Sequence, residues 1–474
     1  MHPQTSTHHH HEAVEPPDPR RWWALTVLAV AQFMLILDIT IVTVALPDIG
    51  RDLTLSRSAT TWVSIAYTLL FGGLLVFGGR CADLFGARRM VLTGLTVFTG
   101  SSLLAGLAMN APMLLGGRVG QGIGAALLSP AAMAILTTTF HGAERNKALG
   151  VWGALGGVGA AAGFVAGGLL TAGPGWSWIF FVNVPVGVVL AALMTKVVPH
   201  RPAQPGHRID ALGAILVTAT IGAAIYGLIN AGDDGWTDPR TLISLLAAVV
   251  LGAGYLRYGL EIVAPLFDPR MLSRRPVAAG ALLMLVATGL LISGFFISSF
   301  YLQQTQGKSA LATGLLFVPI ALGTLVGAHN AGHFIGRFGY RPVAVAGLLS
   351  AATGAAVPAI WPGTTALIVG LSIAAAGQGA VMVTATTTAL AEIEHSRAGV
   401  TSGLVNTFHE LGAALGVAVF STVAAVSIRS LGADTSGFDS AFLLSAGTAG
   451  VAALAALALV PSGKPPAGIR VSAH

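Results

Sequence analysis

The sequence consists of long apolar runs separated by short polar segments. From residue 22 onward, fourteen runs of mainly apolar residues follow one another without strand-like alternation. A helix needs about 20 apolar residues to cross a bilayer, and a barrel strand needs only about half as many. The pattern therefore predicts an all-α membrane protein with 14 transmembrane helices. The predicted spans are 22–47, 60–79, 90–109, 112–139, 148–172, 176–198, 211–231, 241–260, 277–302, 311–335, 342–361, 364–390, 399–428 and 440–460.

Composition agrees with a surface that faces lipid. Of the 474 residues, 54% are hydrophobic and only 9% are charged, whereas a soluble domain carries about 25% charged residues. The 61 glycines would allow helices to pack closely within a membrane. The basic residues lie between the apolar runs rather than on one face, which argues against nucleic acid as a partner. The single cysteine, Cys81, excludes an intramolecular disulfide.

The distribution of Lys and Arg predicts the orientation. An even number of spans places both termini on one side, and 19 of the 25 Lys and Arg residues then fall on that side. Cytoplasmic loops are enriched in these residues. We therefore expect a multi-pass protein of the cell membrane with both termini in the cytoplasm.

An internal repeat divides the chain into halves. The segment G-R-C-A-D-L-F-G-A-R, which begins at Gly79, recurs 253 residues later as G-H-F-I-G-R-F-G-Y-R from Gly332. Parallel repeats of six helices are a transporter architecture with the substrate site between the halves. The predicted organisation is a disordered cytoplasmic tail (1–21), an N-terminal six-helix bundle (22–198), a linker with two additional spans (199–276), a C-terminal six-helix bundle (277–460) and a second cytoplasmic tail (461–474).

Two charged residues within the predicted spans are candidates for proton coupling. Asp38 lies about 24 Å along the first helix at 1.5 Å per residue. Desolvation would raise its pKa and allow it to load and release a proton. Arg118 lies inside the fourth span and needs a carboxylate or several carbonyls, so Asp38 is its natural partner. The alternatives are a solvated Asp38 near the helix end and an Arg118 that reaches the interface.

A second polar cluster lies in the thirteenth span. Glu410 is near the predicted bilayer midplane, Asn406 is one turn earlier on the same face, and His409 is adjacent but about 100° away. We consider a role in proton or substrate binding, and the alternative is an interhelical hydrogen-bond cluster that only packs helices.

A short loop between the second and third spans carries Asp83, Arg88 and Arg89. A carboxylate there could pair with a basic residue of a neighbouring segment and separate from it as the halves move. A solvated turn is the alternative.

Nothing in the sequence indicates a cofactor, a metal or an enzyme. His329 and His333 have the i, i+4 spacing of metal ligands but no nearby acidic ligand, so pore lining or packing is favoured. Gly307-Lys308-Ser309 lacks the earlier glycine of a phosphate loop. We therefore expect a proton gradient to supply the energy. A membrane enzyme built around the two histidines is a rival without a supporting motif.

At these residues the sequence resembles the fourteen-helix drug:proton antiporter branch of the major facilitator superfamily. The resemblance spans residues 22–460 and is carried by Leu37 to Pro47 in the first helix and by the loop motif with Gly79, Asp83, Gly86 and Arg88. It continues through Arg118, Gln121 and Gly122 in the fourth helix, Gly163, Gly167 and Gly168 in the fifth, and Trp176 to Gly187 in the sixth. The resemblance implies proton coupling at Arg118, a gating role for the loop motif and helix packing by the glycines Gly122, Gly163, Gly167 and Gly168.

The sequence departs from that branch at several positions. Phe164 stands where the antiporter motif has proline, Ala87 and Ser177 replace common arginines, and His409-Glu410 replaces Arg-Gln. The favoured prediction is a proton-coupled exporter of small amphipathic molecules such as drugs, dyes or antibiotics, which works by alternating access. Because the motif proline is absent, a proton-coupled symporter of a small metabolite remains the alternative.

Overall fold

The computed structural model describes residues 20–140, 142–198, 210–262, 265, 268–391, 398–431 and 433–463. Apart from residues 20, 21 and 461–463, the two predicted tails lie outside the described residues. So do residues 199–209, which open the predicted linker. The predicted disorder of the tails and the predicted domain boundaries therefore stay predictions.

The described residues are helical almost throughout and contain no strand, as predicted. The longer helices are α1 (Arg21–Asp52), α2 (Arg57–Phe85), α3 (Ala87–Gly106), α4 (Ala111–Thr139), α5 (Gly142–Ala172), α6 (Trp178–Phe181) with α7 (Asn183–Val197), α8 (Ala211–Asp234), α9 (Pro239–Glu261), α10 (Arg275–Phe300), α11 (Ala310–Phe338), α12 (Tyr340–Ile360), α13 (Thr364–Leu390), α14 (Ala398–Val423) and, after a short α15 (Ala425–Arg429), α16 (Ser436–Leu459). A 3₁₀ turn (Pro269–Ser273) precedes α10, and a π turn (Tyr301–Thr305) extends it.

Side-chain caps fix where several of these helices begin. Ser56, Asn110, Asp210 and Ser309 each accept a hydrogen bond from the backbone N–H three residues later, at the starts of α2, α4, α8 and α11. Such caps satisfy N–H groups that have no partner within the helix. The polar residues between the apolar runs thus end one helix and begin the next.

Twelve helices of the described chain are long and apolar enough to cross a membrane. They correspond to predicted spans, whereas α3 does not meet the same criterion and α5 contributes only the shorter apolar stretch Val158–Ala172. The first turn of α3 carries two arginines, and the rest of that 20-residue helix is rich in Thr, Ser and Gly. Length and hydropathy therefore support a multi-pass membrane protein but do not establish the predicted number of fourteen.

Both described chain ends lie at one end of the helical bundle, which we call the terminal end, opposite the end at which Arg57 and Arg429 from the two halves both contact Asp233. Arg21 at the start of α1 forms an ion pair with Glu144 at the start of α5, with Nη2 and Oε1 2.9 Å apart. Beyond α16, Val460 accepts a hydrogen bond from Arg341 at the start of α12. The turns near residues 53–56, 107–110, 173–177, 235–238, 306–309, 361–363, 430–431 and 433–435 form the opposite end, which we call the far end.

The repeated sequence segment forms a similar turn in both copies. Gly86 and Gly339 end α2 and α11 with a φ of +89° in each case. Glycine adopts this left-handed conformation without the strain that a Cβ would cause. The arginine two residues later then donates to a carbonyl at the end of its own half, from Arg88 to Thr195 and from Arg341 to Val460.

The hydrophobic core shows how the halves meet. Towards the far end, one continuous core includes Ile41 and Phe164 from the N-terminal half and Phe295 and Phe317 from the C-terminal half. Towards the terminal end, the two largest clusters each lie within one half. The halves are therefore packed together at the far end, and their cores are separate at the terminal end.

Gly122 allows α2 and α4 to approach closely. A Cβ added at Gly122 would lie 2.6 Å from the carbonyl oxygen of Tyr67, whereas a Cβ at Gly116 on the same helix would meet nothing within 4 Å. We expect Gly122→Ala to lower the free energy of unfolding by about 1–3 kcal/mol because backbone must move. The midpoint of thermal unfolding in detergent, followed by tryptophan fluorescence, measures the effect. Gly116→Ala is the control, and equal midpoints for the two variants would contradict the packing argument.

Candidate functional site

Asp38 lies in the interior of the N-terminal half and is fully buried. Its Oδ2 is ion-paired with Nη1 of Arg118. Its Oδ1 accepts hydrogen bonds from Nε2 of Gln121 at 2.8 Å and from Nδ2 of Asn183 at 3.0 Å. All three contacts come from N–H donors, which is the pattern that a deprotonated carboxylate can accept. The structure thus brings Asp38 and Arg118 together, and neither is solvated at a helix end.

Arg118 is held on several sides. Its Nε donates to the carbonyl oxygen of Val63 at 2.9 Å, and its Nη1 also donates to Oε1 of Gln121 at 2.8 Å. Its guanidinium carbon lies 4.7 Å from the centre of the Tyr67 ring. A buried cation is tolerable when a carboxylate, carbonyls and an aromatic face surround it.

The network joins five helices of one half. Gln121 donates to Oγ of Ser102 on α3 at 2.8 Å, so α1, α2, α3, α4 and α7 all contribute a group. Sequence reasoning did not assign Ser102, Tyr67 or Asn183 to the site. Asn183 carried a usable signal, since it is a polar side chain within an apolar run. Ser102 carried none, because serine is common in membrane helices as a partner for backbone carbonyls.

Glu410 lies where the two halves meet. It is buried, and Nδ1 of His409 is 3.2 Å from its Oε1. A Cβ added at Gly72 of α2 would lie 2.4 Å from the Cβ of Glu410, so α2 and α14 are in direct contact there. Asn406 is exposed, and no hydrogen bond joins it to Glu410 in the described part of the chain. The predicted cluster is thus a His409–Glu410 pair with Asn406 apart from it.

The neighbours of α14 indicate where His409 and Asn406 point. Gly412 packs on α10, Glu410 packs on α2, and Thr422 bonds to α8. At 100° per residue, Asn406 lies between the faces that contact α10 and α2, on the side opposite Thr422. His409 lies beside the α10 face, because Gly416 also packs on α10. Asn406 is exposed and His409 is partly accessible, whereas Ala413, one turn further along, is buried.

Helix α2 connects the two polar groups. Tyr67 packs under Arg118, and Gly72 packs against Glu410. The two positions are five residues apart, which corresponds to about 7.5 Å along a helix axis. A shift or rotation of α2 would therefore change both environments together.

The loop motif lies at the terminal end between α2 and α3. Gly86 provides the left-handed turn, and Nη2 of Arg88 donates to the carbonyl oxygen of Thr195 at 2.6 Å. Gly79 faces Pro130 of α4, whose Cβ would be 3.7 Å from an added Cβ. Asp83 is exposed and forms no ion pair with any described residue. The predicted ion pair of Asp83 is therefore absent from this part of the structure.

The glycines of α5 lie against two different helices. An added Cβ at Gly163 or Gly167 would clash with Thr40 or Ile41 of α1, and one at Gly168 would clash with Ala310 and Leu311 of α11. Phe164, which replaces the motif proline, packs its ring 4.3 Å from that of Phe295 and 5.1 Å from that of Phe317. Helix α5 is thus part of the junction between the halves.

His329 and His333 are both exposed on α11, on the same side as the exposed Leu322 and Val326. Among the described residues no group of three or more His, Cys, Asp or Glu side chains is placed to hold a metal ion.

Comparison with known proteins identifies the family. The sequence model described as Major Facilitator Superfamily matches residues 28–417, and again residues 282–473. The chain is 38% identical over 415 residues to the puromycin resistance protein of Streptomyces alboniger, covering 85% of this chain and 82% of that protein. It is 35% identical to the cephamycin export protein of Amycolatopsis lactamdurans, covering 84% of each. The peptide transporter PepTSo has a similar fold, with a TM-score of 0.69 at 15% identity, over 94% of this chain and 98% of that one.

The chain belongs to the major facilitator superfamily. It is a multi-pass membrane protein, and its curated relatives include proteins named for antibiotic resistance and export.

Proposed function

We propose that this protein exports small amphipathic organic molecules from the cell in exchange for protons. The observation that carries the proposal is the buried Asp38–Arg118 pair, which holds an acid within a transporter fold. The names of its relatives support export as the direction and antibiotics as the class of cargo.

The proposed topology has fourteen transmembrane helices, with α3 and α5 added to the twelve apolar ones. The position of both described chain ends opposite the contacts of Arg57 and Arg429 with Asp233 supports placing both termini on one side. The excess of Lys and Arg at the terminal end supports that side as cytoplasmic. The far end would then face outward.

The proposed mechanism is alternating access between two six-helix halves. The core that is continuous at the far end and divided at the terminal end supports an inward-facing conformation. Asp38 would accept a proton from outside after the far end opens and release it inside. His409 and Glu410 would contribute a second titratable pair, and Asn406 a polar cavity wall. Asp83 would pair only when the terminal end closes, which is consistent with its exposure here.

The test is uptake into inverted membrane vesicles that contain the protein. With an acidic interior, the vesicles are expected to accumulate puromycin or ethidium, because proton exit would drive entry of the cargo. A protonophore should reduce the accumulation to that of vesicles without protein. Accumulation that survives the protonophore would contradict proton coupling. Cargo that moves out of these vesicles together with protons would indicate the symporter.

A further inference from the structure

Arg57, the first residue of α2, is an almost fully buried cation at the far end. Its Nε donates to Oδ1 of Asp233 at 2.8 Å, and its Nη2 donates to the carbonyl oxygen of Ile229 at 2.6 Å; both acceptors belong to α8. Its Nη1 donates to the carbonyl oxygen of Ser421 on α14 at 3.2 Å. One side chain therefore joins the N-terminal half, the inserted helix α8 and the C-terminal half.

Helix α8 lies in the groove between α2 and α14. On one side, Gly73 of α2 packs against Thr218, since an added Cβ would be 2.5 Å from its Oγ1. On the other side, Thr422 of α14 donates to the carbonyl oxygen of Leu228 at 2.7 Å. The inserted helix thus contacts both halves rather than lying apart from them.

The far end of α8 is also fixed by its own hairpin and by α15. Asn230 donates to Asp238 at 3.2 Å and to Thr241 at 2.9 Å, which braces the turn into α9. Nη1 of Arg429 lies 3.6 Å from Oδ1 of Asp233 and donates to the carbonyl oxygen of Gly232 at 3.1 Å. Asp233 is therefore flanked by an arginine from each half.

We propose that Arg57, Asp233 and Arg429 form a latch that holds the far end closed by joining both halves to α8. The inference rests on the proposed function, because only alternating access requires the far end to open. Separating the halves there must break the contact of Arg57 with α14. It must also break the contacts of α8 with one half, either those of Arg57 or those of Thr422 and Arg429. Buried charge-assisted hydrogen bonds are stronger than neutral ones, so their loss favours the open form.

The latch can be tested with Asp233→Asn, and the chain offers a matched control one residue away. Asp234 is exposed and forms no ion pair with a described residue, so Asp234→Asn makes the same chemical change without touching the latch. We expect Asp233→Asn to raise the ratio of open to closed far ends about tenfold, because a charge-assisted contact becomes a neutral one. Asp234→Asn should behave as the unsubstituted protein.

Distances between spin labels in lipid nanodiscs measure that ratio. The only cysteine, Cys81, is replaced by serine, and labels are attached at Thr54 and Leu431, which are exposed at the far end of different halves. A second pair, Thr54 with Met109, lies within the N-terminal half and should keep one distance. Longer Thr54–Leu431 distances in Asp233→Asn, with unchanged distances in Asp234→Asn, would support the latch.

Identical distance distributions for Asp233→Asn and Asp234→Asn would overturn the latch. Arg429→Gln provides an independent variant if Asp233→Asn does not fold, and it should shift the distribution in the same direction but less, since its contact is longer and more exposed. Distance measurements on the unsubstituted protein distinguish failure of the latch from failure of the proposed function. If its Thr54–Leu431 distance changes with pH or with puromycin, alternating access stands even where the latch fails. A distance that never changes would contradict both.

Discussion

Replacing Asp38 by Asn is expected to abolish gradient-driven uptake into inverted vesicles and to leave the protein folded in the membrane. Asn is almost the same size and keeps an oxygen that can accept from Gln121 or Asn183, but it cannot carry a proton. Arg118 loses its counterion and keeps its contacts with Val63, Gln121 and Tyr67. Uptake should fall to that of vesicles without the protein.

Exchange of labelled for unlabelled puromycin without a gradient separates coupling from folding. Exchange requires the cargo site and the conformational change but no net proton movement, so Asp38→Asn should retain it. Asp48→Asn is the matched control, because Asp48 is on the same helix and pairs with the exposed Arg51 near the far end. Full gradient-driven uptake by Asp38→Asn would refute the assigned role of Asp38.

The second large effect is expected on stability, from Arg118→Gln. That change leaves the Asp38 carboxylate fully buried without its cation, and breaking a buried ion pair in this way costs about 3–5 kcal/mol. The double variant Asp38→Asn with Arg118→Gln removes both charges and should recover most of the loss. It should remain unable to couple uptake to the gradient.

Unfolding midpoints in detergent, with the two single variants and the double variant, measure that interaction. Arg51→Gln is the control, since Arg51 is exposed and its pair with the partly buried Asp48 should contribute no more than about 1 kcal/mol. An Arg118→Gln protein as stable as Arg51→Gln would show that the pair does not hold the N-terminal half together. Equal losses in the Arg118→Gln and double variants would show that the stranded carboxylate is not the cause.

The pairing of Asp38 with Arg118 could be predicted from sequence because a guanidinium buried away from water needs a carboxylate or several carbonyls beside it. Few carboxylates were available at a suitable depth, and Asp38 was one of them. The positions of the helices followed from hydrophobic length for a similar reason, since the bilayer sets one required thickness. These predictions needed no knowledge of which helices are neighbours.

The remaining contacts depend on how each helix is rotated and on which helix lies beside it. Hydropathy carries little of that information. Asn183 reaches Asp38 only because α7 packs beside α1, and Arg57 meets Asp233 only because α8 lies between α2 and α14. Asn406 and Glu410 were grouped from their four-residue spacing, yet α2 covers Glu410 and leaves Asn406 open. Spacing along one helix does not specify what the neighbouring helices cover.

The duplicated turn at Gly86 and Gly339 provides a natural comparison within one molecule. Asp83 in the first copy corresponds to Gly336 in the second, so one copy has the acid and the other lacks it. Both nevertheless have a glycine with a φ of +89° and a hydrogen bond from the following arginine to a carbonyl. The carboxylate is thus not required for the positive φ of the glycine or for the hydrogen bond of the arginine. Any selective pressure to keep it in the first copy must act on something other than local architecture.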